Sequence, residues 1–362
     1  MTASAETAEA PKPVPAAAAP PHVTKILAQY VVGAKYDDLP ANVRKEAVRT
    51  LLNWVGVAVG GSRHQTVDIA ASALAPFSGP PQASLLGLSE RQMIWALGIA
   101  ASQPVGLRES FGSMNKSFNP GRAASDGIFA AILASKNFTS SDGMIEAKRG
   151  WANTISTKQD YREITEGLGQ RYESALNTYK PFACGIVLHP AIDAAIQLRN
   201  ENKLSADQID RVELKVHPLV LELTGKKTPR EGLEGKFSIY HAVAIALVEG
   251  AGGEKQFSDR AVTDPVVVAL RSKVVPIITP GVDTAQVDMT IVLKDGRTLQ
   301  RHIEHAIGSL DVPMSDKALE VKFTDLADGI LPAPVIRQTM DLCWNVETLA
   351  NAGDIAKICI PS

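Results

Sequence analysis

From Val23 to about Leu198 the apolar residues recur at three- and four-residue intervals, the spacing that lines one face of a helix. Ala-rich segments at 42–59, 67–74, 91–102, 123–134 and 190–200 carry the pattern, separated by Gly, Pro and Ser turns. Pro40 marks the start of the first of these and Gly60-Gly61 its end. After Leu204-Ser-Ala-Asp207 the period changes to two. Val212-Glu-Leu-Lys-Val-His217 and Ala285-Gln-Val-Asp-Met-Thr-Ile-Val-Leu293 alternate as half-buried strands do. Asp295-Gly296, between Ile291-Val-Leu and Thr298-Leu-Gln, predicts a hairpin closed by a tight primed turn. Further helical stretches are predicted at 241–248, 264–274, 315–323 and 335–344. The whole pattern predicts a mainly α fold. A helical domain over 23–200 is followed by a smaller α+β domain over 201–325 and by C-terminal helices over 326–362.

At 362 residues, 45% of them hydrophobic, the chain can bury a substantial core, and two domains are expected. Its 37 basic and 39 acidic residues are dispersed, for a net charge of -2, which gives no electrostatic footprint for nucleic acid or a membrane surface. Cys184, Cys343 and Cys359 are too far apart for a zinc knuckle or an iron–sulfur set and suit a reducing compartment. No metal and no cofactor are expected from this pattern. Residues 1–22, rich in Ala and Pro, lack the apolar core of a signal peptide and the arginines of a presequence. They predict a disordered leader on a cytoplasmic protein. No apolar run approaches the roughly 20 residues needed to span a bilayer.

Three blocks set cations and proton carriers beside Gly, Pro or small residues where the helical pattern starts or stops. In Phe111-Gly-Ser-Met-Asn-Lys116-Ser-Phe-Asn-Pro-Gly-Arg122, the cations Lys116 and Arg122 fall on a Gly/Pro turn ahead of a helix beginning near Ala123. Free N–H groups there would aid anion binding. The pair reads as a carboxylate clamp or as two solvated surface cations. In Tyr179-Lys180-Pro-Phe-Ala-Cys184-Gly-Ile-Val-Leu-His189-Pro-Ala-Ile-Asp193, His189 lies in an apolar stretch. Burial would leave it a neutral base, and the alternative is a satisfied structural histidine. Lys180 either binds substrate or anchors its segment, and Cys184 reads as a packed small hydrophobe. In Lys236-Phe-Ser-Ile-Tyr240-His241, either the phenol or the imidazole could protonate a carbanion or enolate, or Tyr240 could simply pack its ring. His64, His217, His302 and His305 show no metal-ligand spacing, and no Gly-rich stretch forms a Rossmann or Walker loop.

These blocks resemble the MmgE/PrpD family, which includes 2-methylcitrate dehydratase, cis-aconitate decarboxylase and fungal alkylcitrate dehydratases of secondary metabolism. The likeness extends to Tyr36-Asp-Asp-Leu-Pro-Ala-Asn-Val-Arg-Lys-Glu-Ala, Leu51-Leu-Asn-Trp-Val-Gly-Val-Ala-Val-Gly-Gly and Ala96-Leu-Gly-Ile-Ala-Ala-Ser-Gln. It implies a helical domain onto which the C-terminal helices return, a smaller α+β lid, and a homodimer. It also implies a cofactor-independent lyase that dehydrates a 2-methylcitrate or alkylcitrate-like acid, or decarboxylates a cis-aconitate-like one. His189, Lys116 and Tyr240 or His241 would be catalytic, with Arg122 and Lys180 holding a di- or tricarboxylate. Between Gly87 and Leu88 similar proteins carry a further helical stretch with an Asp-Asp pair followed by His, a His-Pro and a Gly-Trp-His, and none of these is present here. A rival expectation is therefore a catalytically impaired relative that binds or regulates.

Overall fold

A computed structural model of the chain describes residues 22–74, 89–103, 106–110 and 113–360. The leader up to residue 21 and the Gly87–Leu88 junction lie outside the described residues. Two compact units are present, and the described fold is mainly helical with one small sheet.

One unit comprises 22–34, 89–103 and 123–170. In its helix Glu90–Ala101, Ser89 and Gln92 cap each other reciprocally, which satisfies two of the donors a helix start leaves free. Ala96, Ile99, Ala130 and Ala134 form its small core. The buried Glu146 carboxylate accepts from the Thr24 backbone at 3.2 Å and from its hydroxyl at 2.5 Å.

The other unit comprises 35–74, 106–110, 113–122 and 171–360. Its sheet runs in the order β2-β1-β3-β4, with β1 Ile209–Val216, β2 Val274–Ile278, β3 Val287–Leu293 and β4 Thr298–Ile303. β1 pairs in parallel with β2 and antiparallel with β3, which pairs antiparallel with β4. Alternation sets the register: Val287, Met289, Ile291 and Leu293 of β3 are buried and the residues between them are not. Helices His189–Asn202 and Ile239–Glu249 pack with the sheet into the larger core.

A second core joins helix Ala41–Gly61 to helix Asp316–Ala327 through Leu52, Val55, Val59, Leu319, Phe323 and Ala327. Gly56 permits the close approach, since a Cβ there would lie 2.8 Å from the Phe323 ring. Helix Ala333–Trp344 packs on both of these helices. Helix Ala41–Gly61 starts directly after Pro40, which holds the N-cap position without a side-chain hydrogen bond, in line with the helix start read from the sequence.

Three sequence expectations are corrected. Residues 116–122 do not form a turn before a helix at Ala123, because Met114–Ser135 is one helix with Pro120 inside it. As the seventh residue Pro120 forgoes an interior N–H bond and crowds the carbonyl four residues back, and the helix continues through it. The hairpin at Asp295-Gly296 forms, but without a primed turn. Only Gly296 has positive φ, +88°, while the Asp295 carboxylate accepts from the Arg297 backbone N–H at 3.0 Å. Finally, the predicted helix at 264–274 ends at Arg271, and Val274 opens β2. β2 tolerates Pro276 because it is an edge strand.

Candidate active site

A cavity of about 840 Å³ lies wholly within the sheet-containing unit. Four lysines from four separate segments line it: Lys116, Lys180, Lys236 and Lys322. Lys116 comes from the first turn of Met114–Ser135, and Lys180 from the irregular segment leading to helix His189–Asn202. Lys236 lies between helices Gly232–Gly235 and Ile239–Glu249, and Lys322 projects from Asp316–Ala327. The Gly250–Gly253 turn completes the wall. Gly252 lets the turn pack closely there, since a Cβ would meet Phe182 and Ile192 side-chain atoms at 3.0 Å.

Two carboxylates also line the cavity, and lysines already engage both. Lys236 Nζ lies 2.6 Å from Glu254 Oε1, while Asp325 is held more loosely, its Oδ1 3.6 Å from a Lys255 Nζ that lies 2.8 Å from Asp328 Oδ2. Lys180 donates to the Cys184 carbonyl at 3.1 Å, and Lys322 donates to Asn53 Oδ1 at 2.7 Å. Burial lowers the Lys180 pKa, and repulsion from Lys116 and Lys236 adds to it. Burial, followed by repulsion from Lys180, brings Lys322 down to about 8. Crowding like charges in this way is unfavourable for the empty protein and favourable for an anion that neutralises them.

His189, at the start of helix His189–Asn202, is only 4% exposed and does not line the cavity. Phe182, which does, packs edge-on against the imidazole with ring centroids 5.4 Å apart. Burial pushes the His189 pKa down to about 4, Lys180 and Lys322 push the same way, and a backbone hydrogen bond to Cys184 opposes them. Its Nε2 has no hydrogen-bond partner among the described residues. The imidazole is therefore neutral near pH 7, with an unpaired nitrogen one side chain behind the wall.

The structure thus brings Lys116 and Lys180 together on the cavity and sets His189 just behind it. Arg122 is exposed on helix Met114–Ser135 and does not line the cavity. Tyr240 and His241 lie outside the cavity lining as well. Tyr240 is half-buried against the larger core, which raises its pKa. His241 is fully buried, its Nε2 2.9 Å from the Gln256 carbonyl and its ring edge-on to Phe257. Burial pushes the Cys184 thiol up to about 12, as suits a packed small side chain. Sequence reasoning missed Lys236 and Lys322 as site residues. Lys236 stands inside the quoted block and could have been found there. Lys322 gave no local signal, because only tertiary packing turns that face of its helix toward the cavity. Among the described residues no group of three or more His, Cys, Asp or Glu side chains is placed to hold a metal ion. No described helix is long and apolar enough to cross a membrane.

These features define a mainly helical protein with a small mixed sheet and a cation-lined cavity suited to a small anion. The chain belongs to the MmgE/PrpD family. It matches the MmgE/PrpD C-terminal domain over residues 182–346 and the N-terminal domain over 25–86 and 82–164, two stretches that meet at 82–86. It is similar to a cis-aconitate decarboxylase of Aspergillus terreus, with 25% identity over 300 residues covering 76% of this chain and 61% of the relative. The cis-aconitate decarboxylase of Mus musculus is 22% identical over 293 residues, 78% of this chain and 59% of the relative. That of Homo sapiens is 24% identical over 285 residues, 75% and 58%. The chain thus spans about three-fifths of the length of these relatives.

Proposed function

We propose that the protein is a cofactor-independent lyase that removes carbon dioxide from a cis-aconitate-like di- or tricarboxylate bound among Lys116, Lys180, Lys236 and Lys322. The observation that carries this reading is the convergence of those four lysines on one cavity whose two carboxylates are already engaged. Each lysine would act as a point charge on a carboxylate, and together they would stabilise the negative charge that develops as carbon dioxide leaves. The names of the relatives favour decarboxylation. His189 enters as a neutral imidazole behind Phe182, able to accept a proton if that ring turns aside.

A second reading, dehydration of a 2-methylcitrate or longer alkylcitrate, draws support from the cavity itself. Its volume exceeds the need of a six-carbon acid, and Ile186, Leu223, Leu233, Phe237 and Leu326 give it an apolar side for an alkyl arm. The homodimer implied by the family resemblance belongs to the proposal too, and sedimentation would test it.

Calorimetric titration of citrate into the wild type and into K116M, K180M and K236M tests the site. Each variant should weaken binding by about 10- to 100-fold, the value of a charge-assisted contact, and added salt should weaken the wild type. Citrate affinity unchanged in all three would reject the cavity as the carboxylate site.

A further inference from the structure

We propose that Lys322 is the proton donor of the reaction, delivering a proton from its ammonium group to the carbon that loses carbon dioxide. The inference rests on the lyase reading above and adds a catalytic residue to it. Lys236 is held by Glu254, Lys180 is directed at the Cys184 carbonyl, and Lys116 is exposed. Lys322 differs from all three. It is largely buried on the cavity wall, its one hydrogen-bond acceptor is the neutral Asn53 amide, and among the described residues it has no carboxylate partner. Asp325, three residues along the same helix, is engaged by Lys255.

The other charged groups on this cavity are Lys116, Lys180, Lys236, Glu254 and Asp325, with His189 behind Phe182. Burial first and Lys180 second hold the Lys322 pKa at about 8 rather than its usual 10.5. An ammonium of that acidity is still protonated at neutral pH yet gives its proton up more readily than an ordinary lysine. His189 cannot take this part, because it is neutral near pH 7 and off the cavity wall. In the step, the bond between carbon and the leaving carboxylate breaks and carbon dioxide departs. Its electron pair stays on carbon, stabilised by the remaining carboxylates and their lysines. A Lys322 N–H bond then breaks as the new C–H bond forms, and the resulting amine regains a proton from water.

The test is the rate of cis-aconitate conversion by proton NMR between pH 5.5 and 9.5 for wild type, K322Q and K322R, with citrate titrations as a binding control. In the wild type, the protonated amine is the active form, so kcat should fall as pH rises through about 8. K322Q keeps an N–H toward Asn53 but has neither the charge nor an acidic proton, so it should lose about 10²- to 10⁴-fold in kcat on top of the roughly tenfold weakening of citrate binding that loss of one lysine charge brings. K322R keeps the charge with a far higher pKa. It should also be slow, without the alkaline fall, and it serves if K322Q fails to fold. A K322Q enzyme with wild-type kcat, a loss confined to KM and citrate affinity, or an unchanged alkaline limb in K322R would overturn the assignment. A wild type that binds citrate but converts nothing would instead overturn the lyase reading, and the donor with it.

Discussion

Replacing His189 with Gln should flatten the acid side of the protein's stability curve. The imidazole is buried with its pKa lowered from 6.5 to about 4, chiefly by desolvation and further by Lys180 and Lys322. In the unfolded chain it titrates near its ordinary value. Between those two pKa values the unfolded state binds a proton that the native state refuses, so stability falls as pH drops through this window. Below about pH 4 both states are protonated and the loss is complete. At 1.36 kcal/mol per pKa unit, the gap amounts to about 3 kcal/mol from this one side chain. Urea unfolding of wild type and H189Q at pH 7.5, 5.5 and 4.5 measures it, because carboxylates titrating in both proteins cancel in the difference. The wild type should lose about 2.5 kcal/mol more than the variant between pH 7.5 and 4.5, the remainder coming only below about pH 4. Parallel stability curves would refute the reasoning, by showing that His189 is solvated or paired with an anion in the native state.

Two further perturbations probe the frame around the site. Phe323→Ala empties a position only 1% exposed between helices Ala41–Gly61 and Asp316–Ala327, and should cost about 3–5 kcal/mol by urea unfolding. Lys180→Met removes a cation that depresses both His189 and Lys322, so the pKa values of both should rise in NMR titrations of the labelled side chains. A fall in either would contradict the cavity electrostatics.

The long helices and three of the four strands were legible in the sequence because each has a clear apolar period. β2 was not, since Pro276 interrupts a five-residue run directly behind a helix, and only its place at the sheet edge makes that tolerable. Pro120 misled in the opposite direction, reading with Gly121 as a turn ahead of a helix near Ala123 where the helix has already begun at Met114. At the site, Lys116 and Lys180 were legible from their blocks. Lys322 sits beside Phe323 on an amphipathic helix, where a lysine ordinarily faces water. Its burial follows from the packing of that helix against Ala41–Gly61, a contact between residues more than 250 positions apart.

The most direct test of the central claim is an NMR time course of the purified 362-residue chain with cis-aconitate, 2-methylcitrate and a longer alkylcitrate. Conversion of at least one acid, with loss of carbon dioxide or water, and its abolition in a K180M/K236M double variant that still folds, is the predicted result. A folded chain that leaves all three acids unchanged, or a double variant that converts them as fast as the wild type, would contradict the assignment of the lysine-lined cavity as a lyase active site.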